Sequence, residues 1–333
     1  MPLLAQPIDR NFIYYRMKEF AIGIDIGGTN TKFGVVDRHG HILLQDRLLT
    51  NEHDMVQDFI DDLHRKAAPM IREVGGIERF AGIGLGAPNG NYYSGAIEYA
   101  PNLKWKGIIP LAGMMEQSFG LPARLTNDAN AAAMGEMMYG CARNMKHFIV
   151  ITLGTGVGSG IVIDGRIVLG HDGFAGELGH TIIRPGGRLH KGTGIRGTLE
   201  SYASATGVRD TALEMLTAHP ETESLLRDYS INEITSQTVY ECAIRGDRIA
   251  NEIFQFTGQI LGEALANFVM FSSPEAIVLF GGLTKAGDLL LHPTRQAMET
   301  NLIKVFKNKI KILFSELREA DAAILGASAL IWE

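Results

Sequence analysis

The chain has 333 residues, 46% of them hydrophobic and 20% charged, with a formal net charge of −6, which supplies apolar material for a large core and about two domains. The acidic balance argues against a nucleic-acid partner or an anionic membrane surface, and no apolar run approaches the roughly 20 residues that span a bilayer. Two cysteines far apart in sequence, Cys141 and Cys242, make no disulfide framework and suit a reducing compartment, so a cytoplasmic location is expected.

Residues 1–16 read as an N-terminal extension, because Met17-Lys18-Glu19-Phe20 has the look of a natural start immediately before the first strand. Residues 20–26, 32–37 and 41–48 then read as three consecutive strands, with Asp37-Arg38-His39-Gly40 as the hairpin turn between the last two. Met55, Phe59, Ile60, Leu63 and Ala67 recur at helical spacing and predict a helix over 54–73, followed by a strand through Ile83-Gly84-Leu85-Gly86. Three strands, a helix and a strand depart from the strict strand-helix alternation of a dinucleotide-binding domain and suggest an α/β chain of two ribonuclease-H-like domains, as in actin-type ATPases and sugar kinases, with a cleft between them. The second half restarts with strands at 147–153 and 159–164. Helical spacing of Ile253, Phe256, Ile260, Leu261, Leu265 and Phe268 predicts a helix over 252–270; a buried strand ends in Gly281-Gly282, and a closing helix covers 321–330.

Two glycine-rich turns run straight off strands: Asp25-Ile26-Gly27-Gly28-Thr29-Asn30-Thr31-Lys32 and Leu153-Gly154-Thr155-Gly156-Val157-Gly158. Such turns let backbone N–H groups approach an anion, and neighbouring hydroxyls add donors. With Asp25 at the first strand's end, the pair reads as a clamp on a polyphosphate with a carboxylate for its metal ion. Asn127-Asp128 precedes an alanine-rich run of good helix propensity, so Asp128 is either a helix cap or a reactive group at a helix start. Glu177 and His180 form a Glu-x-x-His pair in a glycine-rich segment, a spacing that suits two metal ligands or a polar loop. Asn102, in Ala100-Pro101-Asn102-Leu103-Lys104-Trp105, taken alone is a turn residue.

The first glycine turn, Asn127-Asp128-Ala129-Asn130, the second glycine turn and Gly176-Glu177-Leu178-Gly179-His180 occur in the order found in the ROK family of sugar kinases and sugar-responsive repressors, which the chain resembles from about residue 20 to its end. The resemblance implies that Asp128 is the general base, accepting a sugar hydroxyl proton. It implies sugar contacts at Gly86, Asn102, Asn127, Asp128, Glu177, His180 and Glu200. The nucleotide would be held by Asp25, Gly27, Gly28, Thr29, Asn30, Lys32, Gly154, Thr155 and Gly156, with Gly281 and Gly282 on the adenosine side and Mg²⁺ reached from Asp25 through water. The implied domains are 17–128, joined by a C-terminal helix over 319–333, and a larger one over 129–318, in a homodimer.

One family feature is missing. Aligned on Gly194, Gly197 and Glu200, the usual Cys-x-Cys-Gly-x-x-Gly-Cys-x-Glu zinc motif reads here Lys191-Gly192-Thr193-Gly194-Ile195-Arg196-Gly197-Thr198-Leu199-Glu200. All three thiolates are absent, and neither His180, the fourth zinc ligand of the family, nor His190 restores a soft ligand set, so no structural zinc is expected. The expected activity is ATP- and Mg²⁺-dependent phosphorylation of a hexose, glucose first. N-acetylglucosamine, N-acetylmannosamine and fructose are the rival acceptors, and a catalytically silent sugar sensor is the reading from a different class. The repressor branch adds a DNA-binding helix-turn-helix module before the first glycine turn, and the 24 residues preceding Asp25 are too few for one.

Overall fold

The computed structural model describes residues 18–332, and the extension expected at 1–16 lies outside the described residues. The chain divides into two compact units, one running to Arg143 and including Leu169–Phe174 and the segment from Leu317, the other made of Asn144–Val168 and Ala175–Glu316. Among the described residues no helix is long and apolar enough to cross a membrane.

In the first unit the chain runs β1 (Phe20–Ile26), β2 (Asn30–Asp37), β3 (Ile42–Leu49), α1 (Val56–Glu73), β4 (Phe80–Gly86), the short strands β5 (Gly90–Asn91), β6 (Ala96–Glu98) and β7 (Ile108–Ile109), α2 (Leu111–Phe119), β8 (Ala123–Thr126) and α3 (Asp128–Met138). In the second it runs β9 (Phe148–Leu153), β10 (Val157–Ile163), β11 (Arg166–Ile167), α4 (Glu200–Ala203), α5 (Ala205–Ala218), α6 (Ser236–Ala243), α7 (Arg248–Ser272), β12 (Ala276–Phe280), α8 (Asp288–Asn301) and β13 (Lys311–Phe314); α9 (Glu319–Ala329) returns to the first. The two main sheets have the orders β3-β2-β1-β4-β8 and β11-β10-β9-β12-β13. In each, an antiparallel meander is extended by two parallel strands, so the same topology occurs twice, as the strand-first pattern predicts.

Large and small residues alternate along β1. Phe20, Ile22, Ile24 and Ile26 share one buried cluster with Phe59, Ile60 and Leu63 of α1, while the opposite face carries Ala21, Gly23 and Asp25. On that face α9 lies directly against the backbone: a methyl group at Gly23 would collide with the Ile324 carbonyl, and one at Gly84 with the Ala327 carbonyl. The helix also crosses α3 closely, since a methyl at Gly135 would stand 3.0 Å from the Gly326 Cα. Helix α3 therefore belongs to the first unit, and the division falls after Arg143, beyond the expected one after Asp128. Leu169–Phe174 joins the same unit, with Asn91 Nδ2 donating to the Asp172 carbonyl at 2.7 Å and the Tyr93 hydroxyl to the Gly170 carbonyl at 3.0 Å.

The second unit packs Ile149, Ile151 and Leu153 with Ile253, Phe254, Ile260, Leu261 and Leu265 of α7 in one cluster. That helix, Arg248–Ser272, extends at both ends beyond the expected 252–270: Asp247 caps its start by accepting from the Ala250 N–H at 2.8 Å, and Ser273, at φ +48°, ends it with its N–H on the Val269 carbonyl. Other elements also differ at their ends. Strand β2 begins at Asn30 and β10 at Val157, each two residues before the sequence reading, because both glycine turns close more tightly than their glycine content suggests.

Candidate active site

The first turn is closed by the Gly27 N–H donating to the Asn30 carbonyl at 2.9 Å. That bond puts Asn30, Thr31 and Lys32 on the ladder, with Lys32 paired opposite Asp25. The N–H groups of Gly28 and Thr29 have no intramolecular partner among the described residues, the arrangement an anion requires. Thr50 supports the turn from behind, its N–H donating to the Thr29 carbonyl at 2.8 Å and its hydroxyl pairing with that of Thr31 at 2.8 Å.

Gly28 also fits the turn against a second candidate, since a methyl there would stand 2.6 Å from the Asn102 carbonyl oxygen. The loop bearing Asn102 is anchored by Trp105, 5% exposed, whose Nε1–H donates to the His53 carbonyl at 3.1 Å and whose ring lies 4.8 Å from that of Phe59. Asn102 itself is exposed beside this buried anchor.

Asp128 opens α3 but does not cap it. Asn127 is the cap, its Oδ1 accepting from the Asn130 N–H at 2.6 Å. The Asp128 side chain accepts from the Ala129 N–H at 2.9 Å, and the residue is exposed. Burial by the surrounding protein raises its pKa, opposed by the N–H groups of Ala129 and Asp128 itself. Gly86 separates it from the other carboxylate: a methyl there would lie 3.8 Å from Asp25 Oδ1 and 3.9 Å from the Asp128 Cα. Asp25 is pushed up to about 6, first by burial and then by the negative charge of Asp128, with Lys32 acting in the opposite sense. Asp25, half-buried, and Asp128, exposed, place two carboxylates beside the first glycine turn, a concentration of negative charge that suits a cation accompanying a polyphosphate.

The second turn has a different construction. Gly154 N–H donates to the Gly156 carbonyl at 3.0 Å, and the N–H groups of Thr155 and Gly156 have no intramolecular partner among the described residues. The Val157 N–H is taken by Glu200 Oε2 at 2.6 Å, and a methyl at Gly156 would collide with that same oxygen. The other oxygen of Glu200, Oε1, lies 2.6 Å from His190 Nε2. Glu177 and His180 sit on a single turn of 3₁₀ helix, Leu178–His180, pressed onto the start of β10 so closely that a methyl at Gly179 would collide with the Val157 carbonyl. His180 Nε2 lies 3.9 Å from Glu177 Oε2, and its ring centroid is 5.5 Å from that of His190. Gly281 completes this end: with φ at +106°, it turns the end of β12 against β9, where a methyl would stand 2.7 Å from the Leu153 carbonyl.

Fold and local packing thus bring Asp25, Gly86 and Asp128 together in one unit, and Gly156, Glu177, His180 and Glu200 together in the other. Asn127 gives one lone pair of its side-chain oxygen to the helix cap, which leaves the amide nitrogen and the second lone pair for its expected sugar role. His190, read from sequence only as an inadequate metal ligand, proves to be Glu200's partner; a histidine ten residues before a glutamate carries no signal until the hairpin between them is formed. Among the described residues, His180, His190 and Glu200 form the one cluster whose donor atoms could share a metal, all within 4.8 Å of one another. The thiolate positions of the zinc motif carry Lys191, Thr193 and Thr198, so a thiolate-rich zinc site does not fit.

The model of the ROK family matches residues 21–333. The glucokinase of Halalkalibacterium halodurans is 34% identical over 93% of this chain and 94% of its own length. The N-acetylglucosamine repressor of Escherichia coli is 28% identical over 93% of this chain and 75% of its own. Among solved structures, a ROK family glucokinase from Streptomyces griseus in complex with glucose and AMPPNP superimposes with a TM-score of 0.77 at 33% identity, covering 93% of this chain and 98% of that one.

Proposed function

The chain belongs to the ROK family as one of its sugar kinases, and we propose that it transfers the γ-phosphoryl group of ATP to glucose, giving glucose 6-phosphate, with Asp128 as general base. The observation that carries the reading is the placement of Asp128: at a helix start, relieved of capping by Asn127, and across Gly86 from Asp25. A carboxylate so placed accepts the proton of the sugar's 6-hydroxyl as that oxygen forms its bond to the γ-phosphorus and the bond to the ADP oxygen breaks. Within the first unit Asn102 contributes a further sugar contact, and within the second Glu177, His180 and Glu200 offer an imidazole and two carboxylates to hydroxyl groups.

The N–H groups of Gly28, Thr29, Thr155 and Gly156 are the phosphate donors of this reading, and Lys32 adds a positive charge. Mg²⁺ would be held by the phosphates and, through water, by Asp25, where it would neutralise charge on the transferred group. The relatives support glucose over the rival acceptors, since a 34% identical glucokinase and a glucose complex stand among them. The test is ADP release with ATP and Mg²⁺ over glucose, fructose, mannose, N-acetylglucosamine and N-acetylmannosamine. Highest kcat/KM on glucose is expected. Preference for an N-acetylhexosamine overturns the substrate assignment, and no turnover on any of the five, with hexose binding intact, leaves a sensor.

A further inference from the structure

The loop that carries the zinc motif in relatives is a hydrogen-bonded hairpin in this chain. His190 N–H donates to the Ile195 carbonyl and the Gly194 N–H to the His190 carbonyl, each at 2.8 Å, with Leu189 bridged to Arg196 beyond the turn. Arg188 fastens its base: its N–H donates to the Tyr202 hydroxyl at 2.8 Å, its guanidinium donates to the Ser201 and Gly207 carbonyls at 2.5 and 3.0 Å, and it lies 4.6 Å over the Tyr202 ring. His190 is thereby presented on a braced backbone.

The imidazole has a defined proton. Thr193 N–H points at Nδ1 from 3.2 Å, which makes Nδ1 the acceptor, and the Thr193 hydroxyl lies 2.8 Å from the same atom. The proton of the neutral ring is then on Nε2, where it donates to Glu200 Oε1 at 2.6 Å. Both side chains are largely buried, 19% and 17% exposed, so the bond is little screened by solvent. From Glu200 the chain of contacts continues through Oε2 to the Val157 N–H, directly after the second glycine turn.

We propose that His190 is a positioning residue. Its Nε2–H holds the Glu200 carboxylate in the one orientation that ties down Val157 and leaves the remaining oxygen lone pairs for a sugar hydroxyl, an orienting effect that a metal ion exerts in other proteins through bound ligands. The proposal rests on the sugar-binding role given to Glu200 above.

Four measurements on the full chain test it. His190→Ala should raise the hexose KM by about tenfold with a smaller change in the KM for ATP, and His190→Gln, whose amide N–H reaches the same oxygen, should recover most of the loss. In a double-mutant cycle, His190→Ala should add little to Glu200→Gln, since the two act through one bond. Amide hydrogen exchange at Val157 should accelerate in His190→Ala and return in His190→Gln. Metal analysis should find no zinc or other transition metal in stoichiometric amount.

An unchanged hexose KM in His190→Ala, additive losses in the cycle, or failure of His190→Gln to rescue a folded protein would overturn the proposal. So would about one equivalent of metal per chain that is lost with His190, which would make the residue a ligand. If the wild-type chain phosphorylates no sugar, the kinase reading fails, while the Val157 exchange still decides whether His190 holds Glu200.

Discussion

The two glycine turns follow one plan in sequence and opposite plans in charge. The turn after β1 is bordered by a titrating pair, Asp25 and Asp128, with Lys32 across the ladder. The turn after β9 has no charged residue of its own and is shaped by a carboxylate, Glu200, that reaches it from 43 positions away in the chain. Gly28 makes room for a backbone carbonyl, that of Asn102, and Gly156 for the Glu200 carboxylate. The difference teaches that two turns of similar sequence can carry opposite electrostatic character, each within its own unit. The first turn concentrates the charges that chemistry and a cation need, at a cost in stability, and the second is a neutral cradle held by hydrogen bonds.

The largest break in this comparison is Asp128→Asn. It should lower kcat by at least about 10²-fold while hexose binding measured by calorimetry stays near that of the wild type. Near-normal turnover would remove Asp128 from the role of base.

Methyl groups in the two turns come next. Gly28→Ala drives a methyl into the Asn102 carbonyl, so the loop anchored by Trp105 must shift; a stability loss of about 1–3 kcal/mol is expected from overpacking, read as a lower Tm. Gly156→Ala meets a side chain and should instead push Glu200 off the Val157 N–H, raising the hexose KM at a smaller cost in Tm. Equal Tm losses with no difference in KM would erase the distinction between the turns.

The smallest effect is on stability against pH. Asp25, with its pKa raised from the ordinary 3.8 to about 6 in the folded chain, binds its proton more tightly folded than unfolded. Its contribution to stability is therefore fully present below about pH 4 and is lost as pH rises through about 6. Asp25→Asn should accordingly raise the Tm of the ligand-free chain at pH 8, and the gain should shrink below pH 6 and close near pH 4. A gain independent of pH would mean that the carboxylate carries no such burden.

Much of this was legible in the sequence. Strands β1 to β4, β9, β10 and β12, the helix read over 54–73, both glycine turns and the carboxylate before the alanine-rich helix follow from period and residue type, because hydrophobic alternation and glycine placement are local properties that burial then rewards; the short strands β8, β11 and β13 that complete the two sheets carry too little pattern to be read this way. Even the close seat of α9 is foreshadowed by the small residues that alternate with large ones in Phe20-Ala21-Ile22-Gly23-Ile24-Asp25-Ile26. Tertiary structure decided the rest. The turns closed two residues sooner than read, since a backbone bond such as Gly27 to Asn30 is invisible in residue type. Asn127 took the cap that Asp128 could also have taken, and α3 joined the first unit because Gly135 met Gly326 across nearly 200 positions of chain. His190, Glu200 and Val157 became one hydrogen-bonded unit by the same kind of long-range meeting. Local pattern determines which groups are available; which pairs reach hydrogen-bonding distance, and hence which carboxylate is reactive and which is restrained, depends on contacts that exist only after the chain has folded.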